Sequence, residues 1–92
     1  MMSEKWVTRF RPSARSDIRS IPRETALRIL RKLADLEADP YGLATTELVG
    51  EPGFRRLRIG AYRIIYTVDH DHIVIWIVAV GHRSRVYQVR SD

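Results

Sequence analysis

The residues able to do chemistry in this 92-residue chain fall into two short clusters. The first is Arg56-Leu57-Arg58-Ile59-Gly60-Ala61-Tyr62-Arg63, and the second is His82-Arg83-Ser84-Arg85-Val86-Tyr87. Guanidinium groups stay ionised and present their donors in a fork that matches phosphate oxygens. Their usual work is to orient phosphate and to stabilise developing negative charge, not to take protons. His82 and Tyr87 are the candidate proton carriers. Imidazole titrates near neutrality, and neighbouring cations draw a phenol downward from its ordinary value of about 10. Cations around a proton carrier suit metal-free RNA cleavage. The ribose 2′-OH attacks the adjacent phosphate, arginines stabilise the anionic phosphorane, and an acid protonates the leaving 5′ oxygen. No carboxylate pair of the kind that holds two metal ions is evident.

The elements that must position these residues follow from turn chemistry. Gly60-Ala61 fits a two-residue type II′ hairpin turn, with Gly at the first central position. The register would then pair Ile59 with Tyr62, Arg58 with Arg63, Leu57 with Ile64 and Arg56 with Ile65. Strand side chains alternate faces, so Leu57, Ile59, Tyr62 and Ile64 share an apolar face and Arg56, Arg58 and Arg63 share the other. Like charges directly opposite on a sheet repel. Such a face is either a solvated basic surface or a preformed anion site. Ile73–Val80 (IVIWIVAV) is apolar on both faces, the pattern of a strand buried on both sides. Consecutive hairpins make an antiparallel meander that brings Gly81–Tyr87 back toward the Gly60–Arg63 turn.

The remaining elements read in order. Lys5–Phe10 is a strand, with Trp6, Thr8 and Phe10 on one face. Ser13–Arg19 is a short helix capped by Ser13, which carries Arg15 and Arg19 as an exposed pair of like charge. Pro22–Ala38 is the clearest helix. Pro22 sits at its first position, and Ala26, Leu27, Ile29, Leu30, Leu33 and Leu36 form its core stripe. Asp39-Pro40 ends it. Tyr41–Gly53 reads as a loop, and Asp69-His70-Asp71-His72 as a polar hairpin tip. Its pattern invites a metal reading, but adjacent turn residues point apart, and no metal or other cofactor is expected. The expected fold is a single α+β domain over residues 1–92. An N-terminal strand precedes a two-helix hairpin packed on a small twisted sheet, whose last three strands form an antiparallel meander. The first strand is expected beside the strand that carries Arg56.

Composition bounds the function. The chain carries 16 Lys and Arg against 11 Asp and Glu, a net charge of +5, with 45% hydrophobic residues and no cysteine. Disulfides and thiolate metal sites are excluded. Basic balance favours nucleic acid or an acidic partner. No signal-peptide pattern opens the sequence and no apolar run is long enough for a membrane helix, so a cytoplasmic protein is expected.

Taken together, these pieces resemble the RelE family of bacterial toxins. The resemblance runs through Trp6-x-Thr8-x-Phe10-x-Pro12-x-Ala14-x-x-Asp17-Ile18, the helix ending at Asp39-Pro40, and Glu47-Leu48-Val49-Gly50. It is sharpest at Arg56-Leu57-Arg58-Ile59-Gly60-Ala61-Tyr62-Arg63-Ile64-Ile65-Tyr66 and at Val80-Gly81-His82-Arg83-x-x-Val86-Tyr87. It implies a RelE-like, microbial-RNase-like fold and a toxin of a type II toxin–antitoxin pair that cuts mRNA in the ribosomal A site. It also implies a RelB-like antitoxin partner whose acidic segment wraps the basic surface, with the ribosome and mRNA as further partners and no membrane. By that pattern Tyr87 acts as base, Arg83 supports the leaving group, and Arg56, Arg58 and Arg63 hold the phosphate. His82 shares the proton work, and Arg15, Arg19, Arg55 and Arg85 extend the surface toward RNA and ribosome. This chain departs from some well-known members in having Arg where they carry Lys at positions 56 and 58, and from many relatives in having Ala61 where they carry an acid. The alternatives are the related ParE type, which poisons DNA gyrase, and a non-catalytic nucleic-acid-binding module.

Overall fold

The structure is a computed structural model that describes residues 5–42 and 44–82. Its elements are β1 (Val7–Phe10), α1 (Pro12–Arg19), α2 (Arg23–Ala38), β2 (Thr45–Glu47), β3 (Phe54–Ile59), β4 (Tyr62–Asp69) and β5 (Val74–His82). They build a five-stranded sheet in the order β1-β5-β4-β3-β2. The β3–β4–β5 meander is antiparallel, as its turn chemistry requires. β1, however, lies parallel to β5, with Val7 opposite Val74 and Phe10 opposite Ile77. It is therefore at the far edge from β3, not beside it. The reason is twofold. β5 is an interior strand whose backbone N–H and C=O groups need partners along both edges, while the free side of β3 is occupied by β2. That strand pairs Thr45 with Leu57, Thr46 with Arg56 and Glu47 with Arg55. Thr45-Thr46-Glu47 carries no apolar alternation, so nothing marked it as a strand within the expected loop.

The open edge of β1 is covered by the last turn of α2. The Trp6 N–H donates to the Glu37 carbonyl at 2.9 Å, and the Thr8 N–H donates to Glu37 Oε2 at 2.9 Å. These bonds occupy backbone donors that would otherwise recruit another strand. The main core lies between the helices and one sheet face. Ala14, Ile29, Leu33 and Leu36 meet Leu57, Ile64, Tyr66, Ile75 and Ile77 there. Not all of the α2 stripe takes part: Leu27 and Leu30 remain 42% and 45% exposed. At 3.6 residues per turn the six apolar positions spread over about 180°. The sheet covers only the arc centred on Ile29, Leu33 and Leu36.

α1 begins one residue earlier than its composition suggested. Pro12 occupies the first turn, Arg11 is the N-cap, and no side chain caps it. Ser13 is inside the helix, and its hydroxyl donates to the Val78 carbonyl at 3.2 Å. For α2, Pro22 is the N-cap and Asp39 terminates the helix in an extended conformation, as the following Pro40 demands.

A second set of bonds ties the 40–45 loop to the sheet. Tyr66 is fully buried, and its hydroxyl donates to the Pro40 carbonyl at 2.5 Å. Arg55 Nη2 donates to Thr45 Oγ1 at 2.9 Å and Arg55 Nε to the Tyr66 hydroxyl at 3.4 Å. The same guanidinium lies 4.9 Å from the Tyr41 ring centroid. Tyr66→Phe would strand the Pro40 carbonyl and remove an acceptor from Arg55. We expect a loss of about 1–3 kcal/mol, measured by urea denaturation with an unchanged slope.

Candidate active site

The β3–β4 hairpin has the register its sequence required: Ile59 opposite Tyr62, Arg58 opposite Arg63, Leu57 opposite Ile64 and Arg56 opposite Ile65. Gly60 adopts a positive φ of 58° and Ala61 does not, the signature of a type II′ turn. A Cβ at Gly60 would meet nothing within 4 Å, so backbone conformation, not space, requires glycine there. Alternation places Arg56, Arg58 and Arg63 on the face opposite the helices, while Leu57, Ile59 and Ile64 are buried beneath. Thr46, opposite Arg56, shares the arginine face. Sequence reasoning missed it because β2 carries no strand signal.

The Arg58 N–H donates to the Ala44 carbonyl, on the β2 side. Arg58 and Arg63 therefore form a non-hydrogen-bonded pair of the β3–β4 ladder, the type in which side chains approach closest, with Cα atoms about 4.5 Å apart. Two unit charges at about 6 Å repel by roughly 0.7 kcal/mol in water and about 3 kcal/mol at an effective dielectric of 20. Among the described residues, the ion pairs are Lys32–Asp35 and Asp69–His72. None of Arg56, Arg58 and Arg63 is neutralised in that set. The arrangement can therefore bind an anion without first breaking a salt bridge.

β5 runs alongside with Gly81 opposite Arg63 and His82 opposite Tyr62. The His82 ring meets the Tyr62 ring edge-on, with centroids 5.7 Å apart at 79°. His82 thus sits on the face of Tyr62 and not with the arginine triad. Arg55 is also separated from the triad by its bonds to Thr45 and Tyr66. Arg15 and Arg19 are exposed on α1. Arg83, Arg85 and Tyr87 lie outside the described residues.

The Asp-His-Asp-His tip resolves into separate contacts. Asp69 Oδ1 accepts the His72 N–H at 3.2 Å, and Asp69 Oδ2 lies 2.9 Å from His72 Nδ1. His70 turns the other way, 2.6 Å from the Tyr41 hydroxyl and edge-on to Trp6. The turn closes on Ile73 at φ 55°, which costs a β-branched residue about 1–2 kcal/mol. Its carbonyl is engaged by the Val7 N–H at 3.0 Å. No group of three His, Asp or Glu side chains able to hold a metal ion occurs among the described residues.

Comparison with known proteins decides the family. Residues 8–87 match the model for the ParE toxin of type II toxin–antitoxin systems, parDE. The chain belongs to the RelE/ParE superfamily of type II toxins. It is 29% identical over 87 residues to the toxin RelG of Mycobacterium tuberculosis, spanning 90% of this chain and 97% of the relative. Its fold is similar to that in the RelBE2 toxin–antitoxin complex of M. tuberculosis, with a TM-score of 0.78 and 28% identity over 86% of this chain and 99% of that one. It is also similar to the archaeal RelE–RelB complex of Pyrococcus horikoshii, with a TM-score of 0.74 and 25% identity over 89% and 99%. The two helices on a five-stranded mixed sheet are the RelE toxin fold.

Two expectations follow for the toxin. Arg58→Ala should leave it folded and raise its stability by a few tenths to about 1 kcal/mol at low ionic strength, a gain that shrinks as salt is added. Thermal denaturation across a salt series checks this. Hydrogen bonding from the His72 ring, followed by its backbone N–H and charge, holds the Asp69 carboxyl below its ordinary value of 3.8. Its contribution to folding is therefore fully present above that value and is lost as pH falls through the lowered one. Carboxyl-carbon NMR titration should show the depression, and His72→Ala should move the value back up.

Proposed function

We propose that the toxin is a ribosome-dependent mRNA endonuclease that cuts in the A site by metal-independent attack of the ribose 2′-OH. The observation that carries the proposal is the triad Arg56, Arg58 and Arg63: three cations on one sheet face, without a neutralising carboxylate among the described residues. Such a triad is complementary to a phosphate that gains charge in the transition state. Tyr87 takes the 2′-OH proton, O2′ bonds to phosphorus, and the P–O5′ bond breaks. Arg83 supports the charge on the leaving oxygen, which then acquires a proton. His82, which lies against Tyr62, is assigned at most a share of that proton transfer. Arg15, Arg19, Arg55 and Arg85 supply contacts to RNA and ribosome, although Arg55 does so only at the expense of its bonds to Thr45 and Tyr66.

The partner is a RelB-like antitoxin. Similar structures include RelBE2 of M. tuberculosis and RelE–RelB of P. horikoshii, both toxin–antitoxin complexes. An acidic antitoxin segment is complementary to a chain of net charge +5. Among the described residues no helix is long and apolar enough to cross a membrane, and action on ribosomes places the toxin in the cytoplasm. The family model matched is that of the ParE toxin, and this favours a second reading, in which the toxin poisons DNA gyrase.

Mapping mRNA 5′ ends after adding the toxin to a translating extract separates the two. New ends within A-site codons are expected. Intact message together with inhibited gyrase supercoiling would replace the nuclease reading with the gyrase one. Tyr87→Phe and Arg83→Ala should each slow single-turnover cleavage more than about tenfold while leaving the melting transition cooperative.

A further inference from the structure

We propose that Ser13 and Asp17 are positioning residues for the arginine site, acting through a bulge in β5. The β4–β5 ladder contains one irregularity. Ile65 pairs with Ala79, but the next residue, Tyr66, pairs with Ile77. Val78 is therefore an extra residue in β5. Its effect on facing is visible in the packing: the consecutive residues Val78 and Ala79 both pack with Ile65 on the arginine side. On either side of them, Ile77 and Val80 both belong to the helix-side core.

The bulge decides which residue stands beside the triad. With it, Gly81 opposes Arg63 and Val80 opposes Ile64. Without the bulge, with Val78 paired to Ile65 next to the Tyr66–Ile77 pair, the ladder would set Val80 against Arg63. A branched side chain would then stand on the arginine face, and the end of β5 would move one residue out of step.

A bulge leaves backbone groups without ladder partners. Here β1 ends just where it occurs, with the Arg11 N–H on the Ile77 carbonyl at 2.9 Å. Beyond that point α1 takes over the exposed side of β5. The Ser13 hydroxyl donates to the Val78 carbonyl at 3.2 Å, and the Val80 N–H donates to Asp17 Oδ2 at 3.0 Å. Positions 13 and 17 are one helical turn apart and lie on the same face. The two bonds bracket the bulge, and the carboxylate–amide bond is charge-assisted. The influence on reaction ascribed to the two residues is through the placement of β5, which both of them hold by its backbone. This inference rests on the proposal that the arginine face is where RNA is cut.

The test uses the full-length toxin with Asp17→Ala, Asp17→Asn and Ser13→Ala. Asp17→Ala should accelerate hydrogen exchange at the Val80 amide and slow single-turnover cleavage on programmed ribosomes by about tenfold or more, since small misplacements of reacting groups cost that much. The ribosome concentration for half-maximal rate should stay within about twofold, because the lost interaction orients and does not bind. Asp17→Asn keeps an oxygen acceptor at the same place and should restore most of the rate. Faster Val80 exchange with an unaltered cleavage rate overturns the inference, as does equal loss in the Asn and Ala variants. If Asp17→Ala does not fold, Ser13→Ala decides, with a smaller loss of the same kind expected and an unchanged rate against the inference. If the wild-type toxin cleaves no message, the nuclease proposal itself falls. Positioning is then judged by titrating inorganic phosphate against the Arg63 Nε resonance: Asp17→Ala should weaken that binding about threefold or more, and equal binding overturns it.

Discussion

The repulsion between Arg58 and Arg63 is the constraint to which the rest of the structure answers. The two residues oppose each other one position from a two-residue turn, too close to the hairpin end for the backbone to splay. What holds them there is on the other side of the sheet. Leu57, Ile59 and Ile64 are each nearly fully buried. Burying a side chain of this size stabilises by about 1.5–3 kcal/mol, so the three together contribute roughly 4.5–9 kcal/mol. That exceeds the roughly 1–3 kcal/mol of charge repulsion. The apolar face fixes the register, and the register imposes the arginine cluster. A shift of one residue would relieve the repulsion but would turn the apolar set to solvent.

The helices make that burial available, and they do so asymmetrically. α2 supplies Ile29, Leu33 and Leu36 to the core and seals the β1 edge through Glu37. α1 contributes Ala14 to the same core, while Ser13 and Asp17 reach the β5 backbone. A helix of eight residues is too short to persist on its own. It is held by the strand it supports, so the position of β5 beside Arg63 and the existence of α1 are two sides of one set of contacts. The parallel placement of β1 belongs to the same logic, because only a strand on the far side of β5 delivers the chain directly to the start of α1.

Much of this was legible from residue types. Gly60-Ala61 announced the hairpin and its register, IVIWIVAV announced a strand buried on both sides, and Asp39-Pro40 announced the end of α2. What escaped was information that local patterns do not hold. Thr45-Thr46-Glu47 is a strand only because β3 offers an edge. Leu27 and Leu30 fit the helical stripe, yet the sheet is narrower than the stripe. Ser13 looked like a cap because serine caps helices, but Pro12 starts the helix earlier and frees its hydroxyl for Val78. The meander brought His82 toward the hairpin turn but did not say on which face, because simple alternation along Ile73–Val80 contains no sign of the extra residue at Val78 that sets His82 beside Tyr62. The shared face of Arg56, Arg58 and Arg63 was legible because the three lie wholly within one hairpin, where turn type alone sets the pairing.

Under the proposed function, the cost of the triad would also link activity to control. An anion seated among Arg56, Arg58 and Arg63 gains its own attraction to each cation and removes their mutual repulsion. A scissile phosphate and an acidic antitoxin segment would draw on the same reserve. For the phosphate of the proposed reaction, the gain would be largest where charge is greatest, at the phosphorane, so the repulsion would favour the transition state over the ground state. An antitoxin segment seated there would hold the gain for as long as it stays bound, and under the proposed function the toxin would be both stabilised and blocked. Occupancy of a single cluster by one anionic ligand excludes the other. Under the proposed function inhibition would need no conformational change in the sheet, since the cluster proposed to hold the phosphate would also be the one that holds the partner.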